Sequence, residues 1–128
     1  MKVSAVYRPD VLTAGAFEDL AEAASRMSFN EVGSLAVFDR GDLVGIITER
    51  DLVRAMADGV DSEVTPVDRY MTPDPVTVDP ETDLEQAAAM MLKLGARHLP
   101  VTEGGRVMGM ISARDLLTDQ AWNQEVLR

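Results

Sequence analysis

The chain repeats itself at a fixed offset of 64 residues, without a gap, so that Val3 falls on Val67 and Asp51 on Asp115. Between Lys2–Val64 and Pro66–Arg128, 18 of 63 aligned pairs are identical and most others keep their polarity. The densest match sets Gly45-Ile46-Ile47-Thr48-Glu49-Arg50-Asp51-Leu52 on Gly109-Met110-Ile111-Ser112-Ala113-Arg114-Asp115-Leu116. A repeat of this length is one supersecondary unit, too small to bury its apolar face alone. Two copies, 1–64 and 65–128, are therefore expected to form one compact module, with function at the seam between them.

Each copy reads in the same order. A short segment, Val3–Tyr7 or Val67–Met71, leads to a Pro-Asp break, then a brief extended stretch, Val11–Ala14 or Val76–Val78. A helix follows, in which Leu20, Ala23, Ala24 and Met27, or Leu84, Ala87, Ala88 and Met91, recur at helical spacing. Thr82-Asp83-Leu84-Glu85 has capping-box spacing at the start of the second of these. A hairpin comes next: Leu35–Phe38 and Leu43–Ile47 around Gly41, and Leu99–Thr102 and Val107–Ile111 around Gly105. A second helix starts near Thr48 or Ser112, the latter running toward Ala121. The predicted class is α/β (α+β), two β-α-β-β-α repeats. Trp122 is expected to cover core or a subunit interface.

The residues with chemistry to offer sit where the last strand hands over to that second helix. Thr48 and Asp51, like Ser112 and Asp115, have the spacing of a helix cap, and first-turn acids suit the helix dipole without any ligand. Capping does not account for Arg50 and Arg114, cations in a turn where the dipole disfavours them. A helix start with free N–H groups and an arginine fork suits a phosphate, and an aspartate at such a junction can accept both hydroxyls of a ribose. Together these would hold a ribonucleotide against apolar strand residues.

Composition narrows the partners. A formal charge of −10 and a pI near 4.4 repel a phosphate backbone and an anionic membrane, so neither nucleic acid nor a membrane is expected as a partner. The lack of cysteine removes thiolate chemistry and the common zinc sites, and no metal is expected. With one histidine, no nucleophile elbow and two symmetry-related aspartates, binding is expected rather than catalysis. No signal sequence or spanning stretch is visible, so the expected location is the cytoplasm.

The duplicated pattern resembles a pair of cystathionine-β-synthase (CBS) domains, the Bateman module. The second copy carries it best, in Gly95-Ala96-Arg97-His98-Leu99-Pro100-Val101 followed by Gly109 through Leu116, and the first in Gly33 through Val37 with Gly45 through Leu52. The resemblance implies sheet-to-sheet packing about a pseudo-two-fold axis, with two clefts for adenine nucleotides or S-adenosylmethionine as regulatory ligands and no other cofactor. It implies that Asp51 and Asp115 hold ribose, that Thr48 and Ser112 face ribose or phosphate, and that Arg50 and Arg114 meet phosphate. The base would lie by Thr77, Val78, Leu99, Pro100 and Val101 in one cleft and by Thr13, Ala14, Leu35, Ala36 and Val37 in the other. Ala36 in place of proline, and Glu49 beside Arg50, weaken the first cleft. Arg97 and His98 strengthen the second.

The implied function is regulation in trans, through conformational or oligomeric change in a homodimer acting on an unidentified protein. The alternative is a structural or protein-interaction platform without a ligand. The faces bearing Leu20, Ala23, Ala24 and Met27, and Leu84, Ala87, Ala88 and Met91, are candidates for the dimer contact or for internal core.

Overall fold

The computed structural model describes residues 1–117. Within them the elements run β1 (Thr13–Gly15), α1 (Leu20–Asn30), β2 (Ser34–Asp39), β3 (Asp42–Thr48), α2 (Glu49–Ala57), β4 (Thr72–Pro73), α3 (Leu84–Leu94), β5 (His98–Glu103) and β6 (Arg106–Ser112). Residues 113–117 are helical. The segment before each copy forms a single 3-10 turn, Val3–Ala5 or Val67–Arg69. The β-α-β-β-α order expected of each copy is present, with Ala121 and Trp122 outside the described residues.

Helix α1 forms because its apolar residues fall on one face and its start is capped. Leu20, Ala23 and Met27 are buried, and the Asp19 carboxylate accepts from the Glu22 N–H at 2.8 Å. In α3 the same face is Leu84, Ala87 and Met91. The capping box there is one residue later than the Thr82–Glu85 spacing suggests. Asp83 is the N-cap, and Gln86 Oε1 accepts from its backbone N–H at 3.2 Å. An aspartate directly before the first apolar position displaces the threonine ahead of it. Leu20, Ala23 and Met27, like Leu84, Ala87 and Met91, are internal core, one of the two roles considered for these faces, while Ala24 and Ala88 beside them are half-buried. Each hairpin closes on two residues of positive φ, Arg40-Gly41 and Gly104-Gly105, the turn whose twist matches that of its strands.

Two compact units result, and their boundaries differ from those of the repeat. One is Leu12–Pro75; the other joins Met1–Val11 to the chain from Val76 onward. Each copy thus lends its leading segment to the unit built on the other copy. In the first unit Val67, Asp68 and Leu20 N–H groups donate to Glu18, Ala16 and Thr65 carbonyls at 2.8, 2.9 and 3.0 Å. In the second, Val3, Ser4 and Leu84 donate to Thr82, Pro80 and Met1 at 2.8, 2.9 and 3.0 Å. The leading segment then lines the open edge of the hairpin, Thr72 beside Ile46 in one unit and Arg8 beside Met110 in the other. Gly45 and Gly109 permit this approach. A Cβ on Gly45 would meet the Thr72 carbonyl oxygen at 2.8 Å, and one on Gly109 would collide with the Arg8 carbonyl oxygen.

The units differ at the opposite edge, for a reason visible in one residue. In the first, β1 pairs in parallel with β2, and the Ala36 N–H donates to the Leu12 carbonyl at 3.1 Å, giving a four-stranded sheet β1-β2-β3-β4. Pro100 stands at the corresponding place and has no N–H to give. There the pairing shrinks to one bridge, Val78 with Val101, beside the two-stranded β5-β6 sheet.

Candidate functional site

The first strand–helix junction is closed by its own residues. Thr48 caps α2: its hydroxyl oxygen accepts from the Asp51 N–H at 3.3 Å, while Asp51 Oδ2 accepts from the Thr48 N–H at 2.9 Å and the Thr48 hydroxyl at 3.0 Å. The other carboxylate oxygen, Oδ1, accepts from Arg54 Nη2 at 3.1 Å. Arg54 is held in turn by the Tyr70 carbonyl at 3.1 Å and lies over the Tyr70 ring, 5.8 Å from its centre. The Tyr70 hydroxyl donates to Asp58 at 2.7 Å, and that bond pushes the phenol pKa up. Asp51 is therefore buried and engaged at both oxygens.

The second junction repeats the cap but not the closure. Asp115 Oδ2 accepts from the Ser112 N–H at 2.9 Å, and the Ser112 hydroxyl oxygen accepts from the Asp115 N–H at 3.2 Å. Oδ1 meets a different arginine: Arg8 Nε, 3.4 Å away, from the leading segment of the chain. His98 lies opposite Ser112 in the β5–β6 ladder, and the Arg97 carbonyl accepts from the Ala113 N–H at 2.8 Å. Arg8, Arg97, His98 and Arg114 thus all belong to backbone immediately around Ser112 and Asp115. Their partners by the repeat are Thr72, Gly33, Ser34 and Arg50. Three basic residues of the second junction are neutral in the first.

The residues expected beside the base divide by strand alternation. Leu35, Val37 and Ala14 pack into the first core, and Leu99, Val101 and Val78 into the second. Their side chains are therefore taken up by the core. Ala36, opposite Ile46, and Pro100, opposite Met110, lie on the other face of their hairpins and are buried there as well. Thr13 flanks Ala36 in the first unit, and its carbonyl accepts from Arg26 Nη1 at 2.7 Å. In the second unit Val78, next to Thr77, donates through its N–H to the Pro100 carbonyl at 2.9 Å.

Arg26 is anchored by Glu18 at 2.8 Å, and its guanidinium, with the Gly15 N–H, holds the Glu18 carboxyl down at about 2. Met90 and Thr82 stand at the matching positions, so this clamp on the base-side strand belongs to the first unit alone.

Sequence reasoning missed Arg8, Arg26 and Arg54. Arg54 was legible in principle, since it stands three residues beyond Asp51 on a helix. Arg8 was not, because its partner is 107 residues away. Among the described residues, no group of three or more His, Asp or Glu could hold a metal ion, and no helix is long and apolar enough to cross a membrane.

Comparison with known proteins agrees with this duplicated architecture. The sequence profile of the CBS domain matches residues 3–58 and again residues 67–121. An uncharacterized 17.7 kDa protein from Acidianus ambivalens is 41% identical over 118 residues, spanning 90% of this chain and 70% of its own. The structure of a putative signal-transduction protein with CBS domains from Burkholderia ambifaria superposes with a TM-score of 0.84 at 32% identity, covering 88% of this chain and 86% of that one. The CBS domain pair of protein MJ0100, solved with 5′-methylthioadenosine and S-adenosyl-L-methionine, superposes with a TM-score of 0.86 at 24% identity, covering 98% of each chain.

Proposed function

The chain belongs to the CBS-domain family as a tandem pair, and from that premise we propose that it is a regulatory module whose Asp115 junction binds an adenine nucleotide or a related adenosyl compound. The ligand class is AMP, ADP, ATP or S-adenosylmethionine. One observation carries the reading: in a chain of net charge −10, four basic residues stand on the backbone around a single capped aspartate, one of them in contact with it. That is the electrostatics of an anionic ligand, and the carboxylate among them suits a ribose diol. Asp115 takes the ribose hydroxyls and Ser112 lies beside them. Arg114, Arg97 and His98 face the phosphates, and the base lies against Pro100 and Thr77 with the main chain of Val78, Leu99 and Val101.

The corresponding role of Thr48, Arg50 and Asp51, with Thr13, Ala14, Leu35, Ala36 and Val37 at the base, is weaker. Asp51 is committed to Arg54, and Arg26 occupies the Thr13 carbonyl. The MJ0100 pair was solved with adenosyl compounds, but a likeness at 24% identity bears on the fold, so the ligand reading rests on the junction itself. The role is regulatory rather than catalytic, exerted through a change of conformation or of assembly in a homodimer that acts on another protein in the cytoplasm.

The closed state of Asp51 favours a second reading, in which these motifs cap helices and the module serves as a platform for protein contacts. Thermal unfolding with and without AMP, ADP, ATP and S-adenosylmethionine separates the two. A regulatory module is stabilised by at least one of them in proportion to ln(1 + [L]/Kd), and Asp115→Ala abolishes that gain. A platform unfolds at the same temperature with every one of them.

A further inference from the structure

Arg8 and Arg54, the arginines that meet the two capping aspartates, are held differently. Arg54 is tied at three points: the Asp51 carboxylate, the Tyr70 carbonyl and the Tyr70 ring. The Arg8 side chain makes one hydrogen bond or ion pair among the described residues, from Nε to Asp115 Oδ1 at 3.4 Å, and the two arginines are similarly exposed, so what separates them is the number of partners. The Arg8 backbone, by contrast, is fixed, exchanging hydrogen bonds with Met110 at 2.9 and 3.0 Å. A rigid mount thus carries a singly held guanidinium, whose two terminal nitrogens reach no acceptor among the described residues. An exposed pair of this kind holds weakly, whereas a guanidinium fork and a phosphate match in charge and in geometry.

Resting on the proposed nucleotide reading, we infer that Arg8 is the residue by which the Asp115 site tells a nucleotide from a nucleoside. In the empty site Arg8 neutralises the Asp115 carboxylate. When ribose hydroxyls donate to that carboxylate, the guanidinium loses its partner and its terminal nitrogens turn to the phosphate. A nucleoside would displace Arg8 and offer nothing in return; a nucleotide offers a better acceptor than the one lost. The first junction has no such device, since Thr72 stands where Arg8 does and Arg54 is braced away from movement.

The test is calorimetric titration of the full chain with AMP and with adenosine, in wild type, Arg8→Gln and Arg8→Lys. The expected result for Arg8→Gln is adenosine binding as tight as wild type or tighter, with AMP weakened about tenfold, so that the preference for AMP collapses. Arg8→Lys, which keeps the charge without the fork, should retain part of that preference. An unchanged ratio of AMP to adenosine affinity in Arg8→Gln overturns the inference while leaving the nucleotide reading intact. So does loss of both ligands in a variant that still unfolds cooperatively, because that marks Arg8 as a structural brace. Wild-type protein that binds neither AMP nor adenosine overturns this inference, and the nucleotide reading falls as well when ADP, ATP and S-adenosylmethionine also fail to bind.

Discussion

Single residues decide how each copy departs from the other. At the end of α1 the chain turns through a left-handed residue, Glu31 with φ 54°, where the second copy has Gly95 with φ 67°. A side chain costs energy in that conformation and glycine does not, so Glu31→Gly should raise stability by about 1 kcal/mol. A urea melt checks this; an unchanged or lower midpoint contradicts it. Glu18 makes a pH prediction. Its folded pKa of about 2 lies below the ordinary value of 4.5. The stabilisation is therefore complete above about pH 4.5 and is lost as pH falls toward 2. Glu18 and Arg26 are each about one-third exposed, so solvent screening reduces the effect to about 1–2 kcal/mol. Glu18→Gln should accordingly narrow the stability difference between pH 7 and pH 2.5, measured by denaturant unfolding. A variant with the same pH dependence as wild type would place the acid sensitivity elsewhere.

At the scale of elements, the decisive contact is between the hairpin edge and the leading segment. Gly109 lets Arg8 lie against β6, and with it come the Arg8–Met110 bridge and the Asp115 contact. Gly109→Ala forces a methyl group into the Arg8 backbone and should destabilise the protein by about 2–3 kcal/mol. Gly41→Ala bears no such crowding, only the strain of positive φ, and should cost about 1 kcal/mol. Thermal unfolding of the two variants side by side tests the difference, and equal losses would show that edge crowding is not what Gly109 avoids. The hairpins and helices themselves were legible, because apolar periodicity and paired turn residues are local signals. The strand-edge asymmetry was legible only in part. The change from proline to Ala36 is plain in the sequence, but its consequence, a donor for the Leu12 carbonyl, depends on which strand lies alongside.

At the scale of the molecule, the repeat identified two equivalent copies but not the exchange of their leading segments. Sequence similarity aligns residue 3 with 67, whereas hydrogen bonds join residue 3 to 82 and residue 67 to 18. Those contacts are long-range, and nothing in a local pattern announces them. The exchange makes a prediction about fragments. A polypeptide of residues 12–75 holds a complete compact unit, whereas residues 1–64 lack the segment that covers α1 and the β3 edge. Of the two, the former should retain more helix and strand and unfold the more cooperatively by circular dichroism; the reverse order would refute the division into these units.

The same limits apply to the site. Thr48, Asp51, Ser112 and Asp115 were readable from the repeat, while Arg8, from the other copy's leading segment, was not. The two junctions are therefore alike in motif and unlike in chemistry, and binding should follow the chemistry. Calorimetric titration of AMP into wild type, Asp51→Ala and Asp115→Ala tests this most directly. The expected result is micromolar binding, on the order of −8 kcal/mol, that Asp115→Ala removes and Asp51→Ala largely spares. Binding that survives Asp115→Ala, or that depends on Asp51 alone, would contradict it.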